Sequence, residues 1–213
     1  MKKLTWYFDY ISPYACLAFH RLRELPDDVE VTFKPTLFAG LLKATGNKGP
    51  AEIEGKRLHT YRQTQWQARK MGVPFRYPEG HPFNPLKALR LTIALGASRE
   101  VVEKIFAAVW QKGWLPDDPQ GWEALCDSLN VGDGDSLVSN PEIKQALIQN
   151  VEEALEAKVF GVPTAVIDGE LFWGVDSMDL LLDYLNNPGL FEDPEMARLS
   201  TLGKSAERKE VKS

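Results

Sequence analysis

The chain predicts an α/β fold in which the two ends of the sequence build one sheet and a helical block is inserted between them. Three observations carry this. Residues 4–34 read strand, helix, strand. Residues 164–185 read strand, strand, helix. The residues between them show mostly helical spacing of apolar side chains.

The elements follow in order. Residues 4–9 are aromatic and apolar and form the first strand. The turn at Tyr10-Ile11 breaks it, and Ser12-Pro13 reopens the chain as a helix over 13–23, with Leu17, Ala18 and Leu22 at helical spacing. Serine at the N-cap and proline at the first helical position is a strong opening: the hydroxyl oxygen accepts a free backbone N–H, and proline has none to satisfy. The positive end of that helix suits an anion. Leu25-Pro26-Asp27-Asp28 is a turn. Val29, Val31 and Phe33 then alternate with Glu30, Thr32 and Lys34 as a half-buried strand. A strand, helix and strand this close together form a βαβ unit with parallel strands.

Residues 35–42 lead into a loop marked by Gly46, Gly49 and Pro50. A helix is expected over 52–71, with Leu58, Tyr61, Gln65 and Trp66 on one face and Gly72-Val73-Pro74 as its stop. An irregular proline-rich stretch precedes further helices at 86–95, 101–112, 119–129 and 140–158. Ser98 caps the second of these, and Asn140 with Pro141 opens the last. Residues 164–167 and 170–173 are strands joined by Asp168-Gly169, a primed two-residue hairpin turn. Gly174-Val175-Asp176-Ser177 leads into a final helix through Leu185, and the polar end of the chain reads as a tail that is disordered at its end. The expected division is a discontinuous sheet domain (1–45 and 155–190), a helical insertion (46–154) and the tail (191–213).

Bulk properties exclude several functions. The sequence has 213 residues, 44% hydrophobic and 26% charged, with a net charge of −5. That is an ordinary globular balance with no basic face for nucleic acid. No apolar run is long enough to span a membrane. The opening residues carry lysines but no apolar stretch and run straight into a strand, so a cytoplasmic setting is expected. Cys16 and Cys126 are far apart and expected to be plain thiols. His20, His59 and His81 show no ligand spacing, so no metal is expected.

Four pieces of sequence, F-D-Y-I-S-P-Y-A-C-L-A, A-T-G-N-K-G-P, F-G-V-P-T-A-V-I-D-G and F-W-G-V-D-S-M-D-L-L, occur in this order across residues 3–187. With them the chain resembles the 2-hydroxychromene-2-carboxylate isomerases and kappa-class glutathione transferases, a DsbA-like branch of the thioredoxin superfamily. The resemblance implies a thioredoxin-like fold (βαβ…ββα) with a large helical insertion domain and a cis bond between Val162 and Pro163. A disulfide oxidoreductase of this fold carries C-x-x-C at the helix start. Here those positions hold Ser12, Pro13, Tyr14 and Ala15, and Cys16 falls one place later. Thiol–disulfide exchange needs an attacking thiolate and a resolving partner. The thiol is therefore expected from outside, and the resemblance implies glutathione.

On that resemblance Ser12 is the catalytic residue, its hydroxyl donating to the sulfur. Asn47, Val162, Pro163, Asp176 and Ser177 bind glutathione: Val162 by strand-like pairing, Asp176 at the amine, the turn N–H groups at the γ-glutamyl carboxylate and Asn47 at the glycyl end. Without the resemblance, Asn47 reads as a turn residue beside Gly46, Asp176 as a simple helix cap, and Lys48 as a solvated loop lysine. Asn84, Tyr10 and Trp66 are expected at the acceptor, with Phe38, Phe83 and Trp114 as further walls. His81 is a candidate acid or base with no partner evident in the sequence. Relatives place a tyrosine and, four residues on, an aspartate on the first insertion helix. Here Tyr61 is followed by Gln65, which puts the acceptor in doubt.

The function implied is glutathione-dependent isomerisation of a small aromatic substrate in aromatic, naphthalene-like catabolism: thiolate addition, bond rotation, elimination. A kappa-type glutathione transferase or peroxidase on the same site is the second reading. A non-catalytic thioredoxin-like binding module is the third, and a disulfide oxidase the weakest. The resemblance also implies a homodimer.

Overall fold

The computed structural model describes residues 1–206. Four strands, β1 (Lys2–Phe8), β2 (Val29–Pro35), β3 (Thr164–Ile167) and β4 (Glu170–Trp173), form one sheet in the order β2-β1-β3-β4. β2 runs parallel to β1, with Phe33 opposite Trp6, and β3 and β4 follow antiparallel. Asp168 and Gly169 both take positive φ, 53° and 85°, as a primed hairpin turn requires.

The helices are α1 (Pro13–Arg21), α2 (Phe38–Thr45), α3 (Glu54–Met71), α4 (Leu86–Ala94), α5 (Arg99–Ala107), α6 (Pro119–Ser128), α7 (Gly134–Ser139), α8 (Pro141–Glu156), α9 (Met178–Asn186) and α10 (Pro194–Leu199). Ser98, Asp118 and Asn140 cap α5, α6 and α8 through their side chains. The chain forms two compact units, Met1–Met178 and a second that begins at Asp179. In the second unit Asp193 caps α10, with Pro194 at its first position. The end of the expected tail, residues 207–213, lies outside the described residues. Among the described residues no helix is long and apolar enough to cross a membrane.

Both faces of β1 are buried, as strand alternation demands of a central strand. On one face Trp6 stacks on Phe8 at 4.6 Å between ring centroids, and Phe33, Phe19 and Phe106 complete the cluster. This joins the sheet to α1 and α5. On the other face Tyr7 packs with Leu41, Ala154, Val159 and Val162, which joins it to α2 and α8. The Asn150 side chain on α8 donates to the Pro35 carbonyl at 2.9 Å, and Lys34 pairs with Glu153 at 2.7 Å, fixing α8 along β2.

Three expectations need correction. Tyr10 is not a wall of an open site: it is wholly buried, its hydroxyl bonded to Thr92 at 2.7 Å and its ring against Phe106. The face expected for α3, with Leu58, Tyr61, Gln65 and Trp66, is not its buried face. The buried stripe of that helix is Thr60, Thr64 and Ala68, and Trp66 is 59% exposed. The helix expected over 101–112 ends as α at Ala107 and continues as a π-helical turn, Ala108–Lys112. That wider turn carries Trp110, whose indole N–H donates to the Tyr10 carbonyl at 2.9 Å.

Candidate functional site

The site is built where β1 ends. Ser12 is nearly buried at the start of α1. Its hydroxyl oxygen accepts the Ala15 N–H at 3.2 Å, and its carbonyl takes the N–H groups of Ala15 and Cys16. Pro13 has no N–H, so the Tyr14 N–H at the second helical position has no backbone acceptor among the described residues. A hydroxyl and an unshared N–H at a helix's positive end are two donors for an anion. The Ser12 hydroxyl hydrogen points to the Val162 carbonyl at 3.4 Å, a long contact that is readily redirected.

Val162 lies beside Ser12 just before β3, the strand next to β1, and its bond to Pro163 is cis. Gly161 lies against Trp173: a Cβ at 161 would stand 2.7 Å from the indole nitrogen, so a larger residue there would have to displace the indole. The Pro163 carbonyl accepts from Gly174 at 2.9 Å, which ties this segment to the turn carrying Asp176 and Ser177. Gly174 has φ 89°, and a Cβ there would collide with the Asp176 carboxylate. Asp176 is exposed, and the Ser177 hydroxyl donates to the Trp173 carbonyl at 2.5 Å. The charge of Asp176 is felt by Tyr14, whose hydroxyl donates to Gln63 of α3 at 2.7 Å. Ser12, Val162, Pro163 and the Asp176 turn are thus one assembly.

The other expected residues are placed differently. Asn47 is exposed beyond the left-handed Gly46, and its amide donates to Thr45 at 3.1 Å, the geometry of a turn residue. Asn84 is also exposed. Its side-chain oxygen accepts the Leu86 N–H at 3.1 Å at the head of α4, and its own N–H donates to Asp117. Phe38 is half-buried in the cluster around Tyr7, and Phe83 is buried.

Three features were not read from the sequence. Asp9 is wholly buried one turn before Ser12. One carboxylate oxygen accepts the Ile11 N–H at 3.1 Å and the other the Phe38 N–H at 2.9 Å, while its carbonyl takes the Ser12 N–H. Burial outweighs those hydrogen bonds and pushes its carboxyl up to about 7. His81 does have partners: its Nε2 lies 2.8 Å from the Ile11 carbonyl and its Nδ1 2.8 Å from the Tyr61 hydroxyl. Beyond them opens a groove of about 810 Å³ lined by Arg57, Arg62, His59, Tyr61, Leu58 and Glu54. It has more cationic than anionic groups, which suits an acceptor bearing negative charge.

Cys126 and Cys16 are free and buried, and burial raises the Cys16 thiol far above its ordinary value. A thiol held protonated is a poor nucleophile.

A family model described as a DSBA-like thioredoxin domain matches residues 3–186. A 2-hydroxychromene-2-carboxylate isomerase of Pseudomonas putida is 28% identical over 197 residues, covering 84% of this chain and 91% of that protein. Human glutathione S-transferase kappa 1 is 24% identical over 200 residues, with 84% and 88% covered. Among solved structures, a selenomethionine 2-hydroxychromene-2-carboxylate isomerase superposes with a TM-score of 0.78 at 24% identity, over 93% of this chain and 98% of that one.

Proposed function

Since the chain belongs to the DsbA-like thioredoxin family, we propose that it is an enzyme of the glutathione-dependent isomerase kind, acting on a small aromatic substrate of the 2-hydroxychromene-2-carboxylate type. The observation that carries this reading is the replacement of the redox pair. A hydroxyl, Ser12, sits at the helix start facing Val162 and the cis Pro163, and the only nearby thiol, Cys16, is buried and held protonated.

The residues present fit the tripeptide. Ser12 and the Tyr14 N–H offer donors for a sulfur anion. Val162 and Pro163 form an edge for an extended peptide. In this reading Asp176 takes its amine, the N–H groups of the turn that carries Ser177 take the γ-glutamyl carboxylate, and Asn47 leaves its turn bond to Thr45 to take the glycyl end. When bound, glutathione supplies the nucleophile whose addition to a conjugated acceptor turns a double bond into one that rotates, and whose elimination completes the isomerisation. The chain's part is to keep that sulfur ionised. A free thiol titrates near 8.5, and lowering it by two units corresponds to about 2.7 kcal/mol. One charge-assisted hydrogen bond, about 1.5–3 kcal/mol, with a helix end, about 0.3–2 kcal/mol, supplies this.

The groove between His81 and α3 is the acceptor side in this reading, with Arg57 and Arg62 offered to the carboxylate. The helical block 46–154 serves as the acceptor domain in this reading, and the protein works as a cytoplasmic homodimer in aromatic catabolism. A kappa-type transferase is the second reading, because human glutathione S-transferase kappa 1 is about as similar. The test is turnover of 2-hydroxychromene-2-carboxylate against a chlorodinitrobenzene-type electrophile, each with glutathione. Isomerisation that requires glutathione supports the first reading, and conjugation alone supports the second. No calorimetric binding of glutathione at millimolar concentration refutes both and leaves a binding module.

A further inference from the structure

The turn before Ser12 is held from two sides. The Ile11 N–H goes to the Asp9 carboxylate at 3.1 Å, and the Ile11 carbonyl receives His81 Nε2 at 2.8 Å. The first bond comes from Asp9, the residue just past the end of β1. The second comes from the loop between α3 and α4, seventy residues away in the chain. We propose that His81, oriented by Tyr61, is a positioning residue for Ser12 that acts through the Ile11 carbonyl. This deepens the reading of Ser12 as the residue that holds the thiol, and rests on it.

The protonation pattern follows from chemistry. A backbone carbonyl only accepts, so Nε2 must carry hydrogen. Neutral imidazole then has a bare Nδ1, which takes the Tyr61 hydroxyl hydrogen at 2.8 Å. The tautomer is thereby fixed by Ile11 on one side and Tyr61 on the other. The Tyr61 oxygen lies equally close, 2.8 Å, to the His81 carbonyl, so its single hydrogen is shared between that carbonyl and Nδ1. The imidazole is walled by Trp110 at 5.7 Å, Tyr77 at 5.7 Å and Phe83 at 6.2 Å. Burial there disfavours the charged ring, which keeps it neutral at pH 7. The charged groups that share the groove are Arg57, Arg62 and Glu54, with His59 beside them.

The same Trp110 donates to the Tyr10 carbonyl, and Tyr10 bonds Thr92. The Tyr10–Ile11 turn is therefore gripped by Trp110, Thr92 and His81. Of these, His81 also lines the groove, with Tyr61 beside it.

The full chain is compared with His81→Phe, His81→Gln and Tyr61→Phe. Histidine ring nitrogen NMR of the wild type is expected to show His81 as the Nε2–H tautomer. Amide hydrogen exchange over residues 12–16 is expected to quicken about tenfold in His81→Phe, the effect of one lost hydrogen bond, with the β1 amides unchanged. His81→Gln, which restores a donor near the Nε2 position, is expected to recover most of the protection. Tyr61→Phe falls between. Turnover with glutathione is expected to follow the exchange order, with kcat moving more than KM. The Nδ1–H tautomer, or unchanged exchange in His81→Phe, overturns the proposal. Should His81→Phe not fold, unchanged exchange and unchanged kcat in Tyr61→Phe overturn it. A wild type that ignores glutathione while His81→Phe still loosens residues 12–16 sinks the functional reading and supports the clamp.

Discussion

Ser12 does two things with one oxygen. It caps α1 by accepting from Ala15, and its hydrogen points to Val162. The two roles separate on substitution. Ser12→Ala is expected to lower kcat about tenfold to a hundredfold through one lost charge-assisted hydrogen bond. Chemical denaturation should show a stability loss of only about 1 kcal/mol for the missing cap. Unchanged kcat with that same loss would leave a cap and nothing more. Asp9 gives a pH signature. Its folded-state pKa, about 7, lies above the ordinary 3.8, so the folded chain binds its proton more tightly than the unfolded chain. Its contribution to stability is complete below 3.8 and is lost as pH rises to about 7. Urea midpoints of wild type relative to Asp9→Asn should therefore be highest at acid pH and fall toward neutrality. A difference that grows toward neutrality would contradict the assignment. The Ser12-Pro13 signal was legible because capping chemistry is local. The Asp9 and His81 bonds were not, because each partner lies far along the chain and carries no mark of it.

At the scale of elements, the strands and the Asp168-Gly169 hairpin could be read because alternation and positive φ leave a direct trace in residue type. The face of α3 could not. Its buried stripe is Thr60, Thr64 and Ala68. Thr64 satisfies its hydroxyl on the Thr60 carbonyl and the Tyr77 hydroxyl. A threonine paired within its own helix buries at little penalty, and a hydrophobic pattern passes over it in favour of Leu58 and Trp66. α2 was missed because Gly40 interrupts it, yet that glycine lets the helix approach Val151 of α8: a Cβ there would stand 3.1 Å from the valine. α7 is too short for a period to show. α10 opens with Asp193-Pro194, the same cap chemistry as Asn140-Pro141, inside a stretch whose polarity suggested tail. The Gly174 turn is the element most exposed to test. Gly174→Ala puts a Cβ into the Asp176 carboxylate at a backbone angle only glycine takes readily. It is expected to destabilise by more than about 1 kcal/mol and to weaken glutathione binding. Calorimetry and thermal melts check both, and unchanged binding would remove Asp176 from the site.

On the scale of the molecule, the sheet comes from both ends of the sequence, and the residues between supply the grip on the turn before Ser12. The layout was legible from element order, and the likeness to a 0.78 TM-score neighbour bears out the fold. What the order of elements does not carry is the contact between the aromatic cluster and the site. Phe106 of α5 touches Tyr10 at 4.7 Å and Phe8 at 5.7 Å. Phe106→Ala is expected to cost about 3–5 kcal/mol in stability. It should also lower turnover beyond the unfolded fraction, because Tyr10 precedes Ile11. Activity proportional to folded protein would show the core and the site to be independent. The account as a whole stands on a sulfur kept ionised by a hydroxyl and a helix end. Titrating the ultraviolet thiolate absorbance of glutathione bound to the wild type measures this directly. A bound thiol titrating about two units below the free value near 8.5, and returning toward it in Ser12→Ala, is the predicted result. A wild-type complex whose thiol titrates at the free value would contradict it.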